Sequence, residues 1–115
     1  MLKDRIEILH SAAVIQDSVA EYVNHVIDQL EPFHYEESKM EMFTTHLAMA
    51  VQRILTNGEV DTLDDAIWDD VKQSSSFKEA QDLFAELKKD APVEIPESEE
   101  KFLLMHLCNL LLKSE

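Results

Sequence analysis

One glycine, one cysteine and three prolines in 115 residues leave this sequence short of the parts that many functions need. A lone glycine cannot build a phosphate-cradling loop, and no GxSxG elbow or paired-carboxylate motif is present. Cys108, the lone cysteine, allows no intramolecular disulfide and no cysteine-rich metal site, which fits a reducing cytoplasm. Basic residues are scarce. With 10 Lys and Arg against 24 Asp and Glu, the formal charge is -14, and a field of that sign repels phosphate backbones and anionic lipid. Direct nucleic-acid binding is therefore not expected, and neither is a membrane role. The longest apolar run, Phe102 to Leu112, is too short to span a bilayer and is interrupted by His106 and Asn109, while Met1 to Asp4 opens no signal core. The chain is expected to be a soluble, cytoplasmic, single domain over residues 1–115, a length that fits one core.

What remains is helix-forming material, 45% apolar with few turn residues. Apolar residues from Ile6 to Leu30 recur at helical spacing up to Pro32, with a change of face near Ser11 to Gln16 that marks a place for a break. A second helix is expected from Glu36 to Leu55, stopped by Asn57-Gly58, since glycine readily takes the left-handed conformation that ends helices. A third, acidic helix should run from Thr62 to Lys72, with Thr62 and Asp65 resembling a capping box. Ser76 and Glu79 form the standard version of that box and should open a fourth helix, Phe77 to Lys89. Pro92 and Pro96 punctuate a loop before a fifth, from Glu97 to Lys113. No period-2 run is long enough for a strand, so the expected class is all-α. The acidic stretch Glu59 to Asp70 reads as a solvated helix face, or else as a docking surface for a basic partner.

Two histidine segments carry the functional signal. In the first, His46 precedes Arg53 by seven residues; in the second, Glu99 precedes His106 by the same interval. At about 100° per residue, Met42, His46, Met49 and Arg53 share one stripe. Phe43, Leu47, Ala50 and Ile54 form the neighbouring core stripe, and Glu41, Thr45 and Gln52 should face water. The last helix is apolar almost all round, as a central helix is, except for a polar stripe of Glu99, His106, Asn109 and Lys113. Such a stripe must be satisfied internally or open onto a site.

A metal wants ligands converging at about 2 Å, which on one helix means i, i+4 pairs, and neither His46 nor His106 has such a partner. No metal, cofactor or enzymatic activity is expected. The histidine chemistry that remains is acceptance of a phosphoryl group, which asks for an accessible, unprotonated imidazole nitrogen and would place a dianion-like charge on a helix surface. On the residues alone, a packing histidine at the core border is the competing reading.

The ordered pattern of H-L-x-x-A-V-x-R in the helix of His46, a Gly-terminated end, an acidic helix, a fourth helix with Phe77 and Ala80, and then P-E-S-E-E-K-F-L-L-M-H-L resembles the PTS regulation domain (PRD). The resemblance covers Asp17 to Leu112. It implies a five-helix bundle of antiparallel helix pairs, found in bacterial antiterminators and transcriptional activators governed by the sugar phosphotransferase system. It implies phosphoryl acceptors at His46 and His106, with Arg53 and Glu99 at matching family positions; Asn109, from the polar stripe of His106, is expected to support the site with them. A phosphocarrier protein would be the donor, and the chain would be a homodimer or the partner of a larger PRD-containing regulator. His10, His25 and His34 match no family site and are read as structural. Thr45 stands where the family usually has Asp, and Lys101 where it usually has a small residue. These differences motivate the alternative of a phosphate-independent interaction or dimerisation module. A histidine phosphotransfer domain, also helical and acidic, would show a basic residue and glycine soon after its histidine, whereas Leu47-Ala48-Met49-Ala50 follows His46.

Overall fold

In a computed structural model, which describes residues 2–58 and 63–112, the chain is all-α. It folds as α1 (Leu2–Ser11), α2 (Asp17–Leu30), α3 (Glu37–Leu55), α4 (Asp65–Lys72), α5 (Phe77–Leu87) and α6 (Glu97–Leu111), with short 3₁₀ turns at Glu31–Phe33 and Lys88–Asp90. No strand occurs among the described residues. Among the described residues there are six helices rather than the expected five, because the segment before Pro32 is divided. At the break Ala13 takes a left-handed φ of 60°. The Ala13 N–H donates to His10 O at 3.0 Å and the Val14 N–H to Leu9 O at 2.9 Å, the pair of bonds that closes a helix C-terminus. Ile15 is buried in the corner that follows, and His10 hydrogen-bonds Asp17 across it. The fold-back lets α1 pack on both α2 and α3.

The other boundaries lie within a few residues of expectation, but three are made differently. Asn57, not Gly58, takes the left-handed turn after α3, with φ 56°. The Asn57 N–H donates to Ile54 O at 3.2 Å and the Gly58 N–H to Arg53 O at 2.7 Å. The start of α4 is capped by Asp64, whose carboxylate accepts from the Ala66 N–H at 2.8 Å; Thr62, expected in that role, lies outside the described residues, as do Glu59 and Asp61 of the acidic stretch. The Ser76–Glu79 capping box is not formed. Ser76 is buried, and its hydroxyl donates instead to the Cys108 carbonyl at 3.1 Å, tying the start of α5 to α6. A buried hydroxyl must satisfy itself where it stands, and that demand outweighs capping a helix end.

As expected of a helix apolar on most sides, α6 is central: it packs against α3, α4 and α5, and buries Leu103, Leu104, Leu107, Leu110 and Leu111. Facing it, α3 buries a wider arc than one stripe. Phe43, Leu47 and Ala50 are buried as expected, and Met40, Thr44, Ala48 and Val51 join them because α1 and α2 cover a second side of α3. Gln52, expected in water, accepts a hydrogen bond from the Gln16 N–H at 2.9 Å and so caps the start of α2. Tyr22 donates to Leu87 O at 2.9 Å and anchors α2 to the end of α5.

The histidine pair between α3 and α6

The α3–α6 contact runs antiparallel and is marked by polar ties two helical turns apart. Near the start of α3, the Lys39 ammonium donates to Leu112 O at 2.9 Å, just past the end of α6. Seven residues further along α3, the His46 ring stacks on that of His106, with centroids 4.1 Å apart and planes 12° from parallel. Seven residues further again, Arg53 grips Glu99: Nε donates to Oε2 at 3.1 Å and Nη2 to Oε1 at 3.0 Å. Residues at this interval return to nearly the same side of a helix, so two facing helices meet at matched levels. The sequence intervals from His46 to Arg53 and from Glu99 to His106 are therefore one geometric fact. They are the two edges of a single ladder.

Each rung has a distinct character. Glu99 is almost completely buried, with 2% of its side chain exposed, while Arg53 remains partly open to water. A carboxylate so enclosed is tolerable because the guanidinium fork satisfies both its oxygens.

The histidine rung is asymmetric. His46 is exposed and His106 half-buried beneath it. Burial, aided by the neighbouring His46, pushes the His106 imidazole down to about 4. A proton on His106 would have to sit in a poorly hydrated place against another ring that can itself be charged. At neutral pH His106 is consequently the uncharged imidazole, with one nitrogen lone pair available for bonding. Among the described residues no group of three or more metal-ligating side chains converges, and two parallel stacked rings do not aim their lone pairs at one point.

Around His46 lies a shallow pocket of about 310 Å³ lined by Arg5, Ser38, Glu41, Met42, Thr45 and His46. Thr45, expected to face water, instead turns its hydroxyl inward, where the oxygen is buried and has no hydrogen-bond partner. Lys101 turns away from the histidines. Its ammonium sits 5.5 Å from the centre of the Trp68 ring and 3.9 Å from Glu97, toward α4. Asn109 is exposed on α6 beyond His106. His10 and His25 pair with Asp17 and Asp90 at the surface, away from this site.

The chain matches the model of the PRD domain family over residues 20–110. It belongs to that family. This PRD domain is also 29% identical, over 114 residues covering 95% of the chain and 93% of the relative, to the uncharacterized protein YhfY of Escherichia coli (strain K12). No solved structure matches it. The matched segment contains both histidines and the Arg53–Glu99 pair, whereas α1 and the first residues of α2 precede it. Sequence reading had singled out the four residues of the two lower rungs. It missed Lys39, although the spacing of seven before His46 was there to be read, and it missed Arg5, for which no signal along the chain exists because it reaches the pocket from another helix.

Proposed function

We propose that this PRD domain is a phosphorylation-responsive regulatory module in which His46 and His106 are alternative acceptors of a phosphoryl group. The observation that carries the reading is the ring stack. Two histidines sixty residues apart meet at 4.1 Å, one exposed and the other held uncharged. Packing alone would be served as well by an apolar pair, and an apolar pair would not require the adjoining buried ion pair to fix its register.

The donor is a phosphocarrier protein of the sugar phosphotransferase system. The acceptor nitrogen lone pair attacks the phosphorus of the carrier's phosphohistidine, whose other ring nitrogen is protonated; the new N–P bond forms as the old one breaks, the carrier's ring leaves as neutral imidazole, and the acceptor ring, which keeps its own N–H, is cationic until it gives that proton to water. No oxidant, reductant or metal enters this balance. The added charge, close to two negative units on a surface already rich in carboxylates, alters the α3 face and thereby the chain's association with itself or with a larger PRD-containing transcriptional regulator. Arg53 and Glu99 support the site by holding α3 and α6 in register.

The test is incubation with enzyme I, the phosphocarrier and phosphoenolpyruvate, followed by mass measurement. An acid-labile gain of about 80 Da is expected, the mass of one phosphoryl group. His46→Ala and His106→Ala should each keep a gain at the remaining histidine; loss of the gain in both would show one coupled site in place of alternative acceptors, and no gain in the wild type would sink the reading for this donor.

A further inference from the structure

The sequence contains two arginines, Arg5 and Arg53, and only one of them is free to follow a charge placed on His46. Arg53 lies two helical turns from His46 and is held by two hydrogen bonds to Glu99. Withdrawing it would strand a buried carboxylate, a step that costs more than a surface contact returns. Arg5 is in a different position. It comes from α1, lines the same pocket as His46, and its partner there is Glu41 at 3.9 Å, beyond hydrogen-bonding distance. Both side chains of that loose pair are more than a third exposed, so the pair itself contributes little.

We infer that Arg5 is the phosphoryl-binding residue of His46, and that phosphorylation moves its guanidinium from Glu41 to the phosphoryl oxygens. The inference rests on the reading of His46 as an acceptor. Three physical effects favour the exchange. The phosphoryl group carries close to twice the charge of the carboxylate. Its oxygens match the arginine fork for two parallel hydrogen bonds. The same dianion repels Glu41, weakening the loose ion-pair contact that must be given up. Because Arg5 belongs to α1, which precedes the family-matched segment, the exchange ties that helix more firmly to α3 in the phosphorylated form. A helix outside the matched segment would thus complete the site and report its state.

The two-arginine composition makes the test direct, since the full chain labelled with ¹⁵N-arginine gives two side-chain Nε–H correlations, assigned by their loss in Arg5→Lys and Arg53→Lys. The chain is phosphorylated with phosphoramidate, a chemical donor that needs no carrier protein, and the site of modification is read by mass. The Arg5 correlation is expected to shift on phosphorylation of the wild type, the Arg53 correlation to stay in place, and neither to move in His46→Ala. In Arg5→Gln the phosphohistidine at position 46 should hydrolyse several-fold faster, with Arg5→Lys restoring part of its lifetime. An unmoved Arg5 correlation in protein phosphorylated at His46, a shift of Arg53 in its place, or failure of phosphoramidate to reach His46 would each overturn the inference. If phosphoramidate modifies His46 and shifts Arg5 while the phosphocarrier gives no mass gain, the donor reading fails and the Arg5 inference stands. If the carrier phosphorylates His46 and Arg5 does not move, the reverse holds.

Discussion

Arg53 holds Glu99 by two parallel hydrogen bonds two helical turns from the point where His46 lies flat on His106. The ion pair fixes which levels of α3 and α6 face one another, and the level it fixes is the one at which the two imidazoles overlap. Its contribution is easiest to see by breaking it from either side. Arg53→Met leaves Glu99 enclosed without a counter-ion and should destabilise the domain by about 3 kcal/mol. Glu99→Leu, which leaves only the partly hydrated arginine unpaired, should cost less. In the double variant both charges are gone and the space is refilled with apolar side chains, so stability should return to within about 1 kcal/mol of the wild type. Urea unfolding of the four proteins measures this. Equal costs for the two single changes would show that burial of Glu99 is not what makes the pair matter.

The depressed proton affinity of His106 gives the domain a pH dependence of defined sign. In the unfolded chain His106 titrates near 6.5, and in the folded one at about 4. Between those values the unfolded state binds the extra proton, so this group's stabilising effect is full above about 6.5, declines as pH falls, and is lost below about 4. The limiting slope is about 1.4 kcal/mol per pH unit. Urea unfolding at about pH 7.5 and about pH 5 should show a larger loss for the wild type than for His106→Gln, a comparison that subtracts the carboxylates common to both. In NMR titrations His46→Ala should raise the His106 value toward 6.5, because it removes both cover and a like charge. A His106 that titrates at its ordinary value in the wild type would contradict the buried placement of its ring.

Helix existence and the level of the site were legible from the sequence because both rest on periodicity. Spacing by seven keeps residues on one side of a helix whatever surrounds it, so His46 with Arg53 and Glu99 with His106 could be paired off before any contact was known. Which helix faces which was not legible. That depends on how α6 chooses among neighbours, and an all-round apolar sequence contains little directional information. Capping failed for a related reason. Ser76 and Glu79 have the right spacing, but burial against α6 redirects the serine hydroxyl to the Cys108 carbonyl, and no local rule foresees that. The break before α2 was legible as a change of apolar face near Ser11 to Gln16, and α1 ends at Ser11 and α2 begins at Asp17; what no local signal marked is that the chain turns there through a left-handed residue, because that residue is alanine, where a glycine would have announced it.

That alanine supplies a prediction of its own. Ala13 has φ 60°, a conformation in which the Cβ crowds the backbone and which glycine adopts without that crowding. Ala13→Gly should relieve the strain and stabilise the domain by about 0.5–1 kcal/mol, even though glycine in a helix interior destabilises by a similar amount. Ala12→Gly, one residue earlier, gives the contrasting case and should destabilise. A higher urea midpoint for the first variant and a lower one for the second would locate the corner between α1 and α2. If both variants lose stability, α1 does not end in a left-handed turn at Ala13.

On the proposed reading of the histidines as phosphoryl acceptors, the ring stack would limit how much phosphate the pair can hold. With centroids 4.1 Å apart, phosphoryl groups on both histidines would bring two dianions into one small region of an already acidic domain. Two unit charges ~6 Å apart at an effective dielectric of about 20 repel by about 3 kcal/mol, and each phosphoryl group carries closer to two charges than one. Arg53 offers no relief, being committed to Glu99, and the Arg5 side chain lines the pocket of His46. A second transfer should therefore be disfavoured by at least about a hundredfold relative to the first. Donor-saturated protein should show one adduct of about 80 Da, divided between His46 and His106 when mapped by fragmentation. His46→Ala and His106→Ala then separate access from coupling. The exposed His46 should accept phosphate faster in the absence of its neighbour's competition, whereas His106 without His46 gains exposure and a higher proton affinity. A population carrying two phosphoryl groups would mean that the first phosphorylation parts the rings.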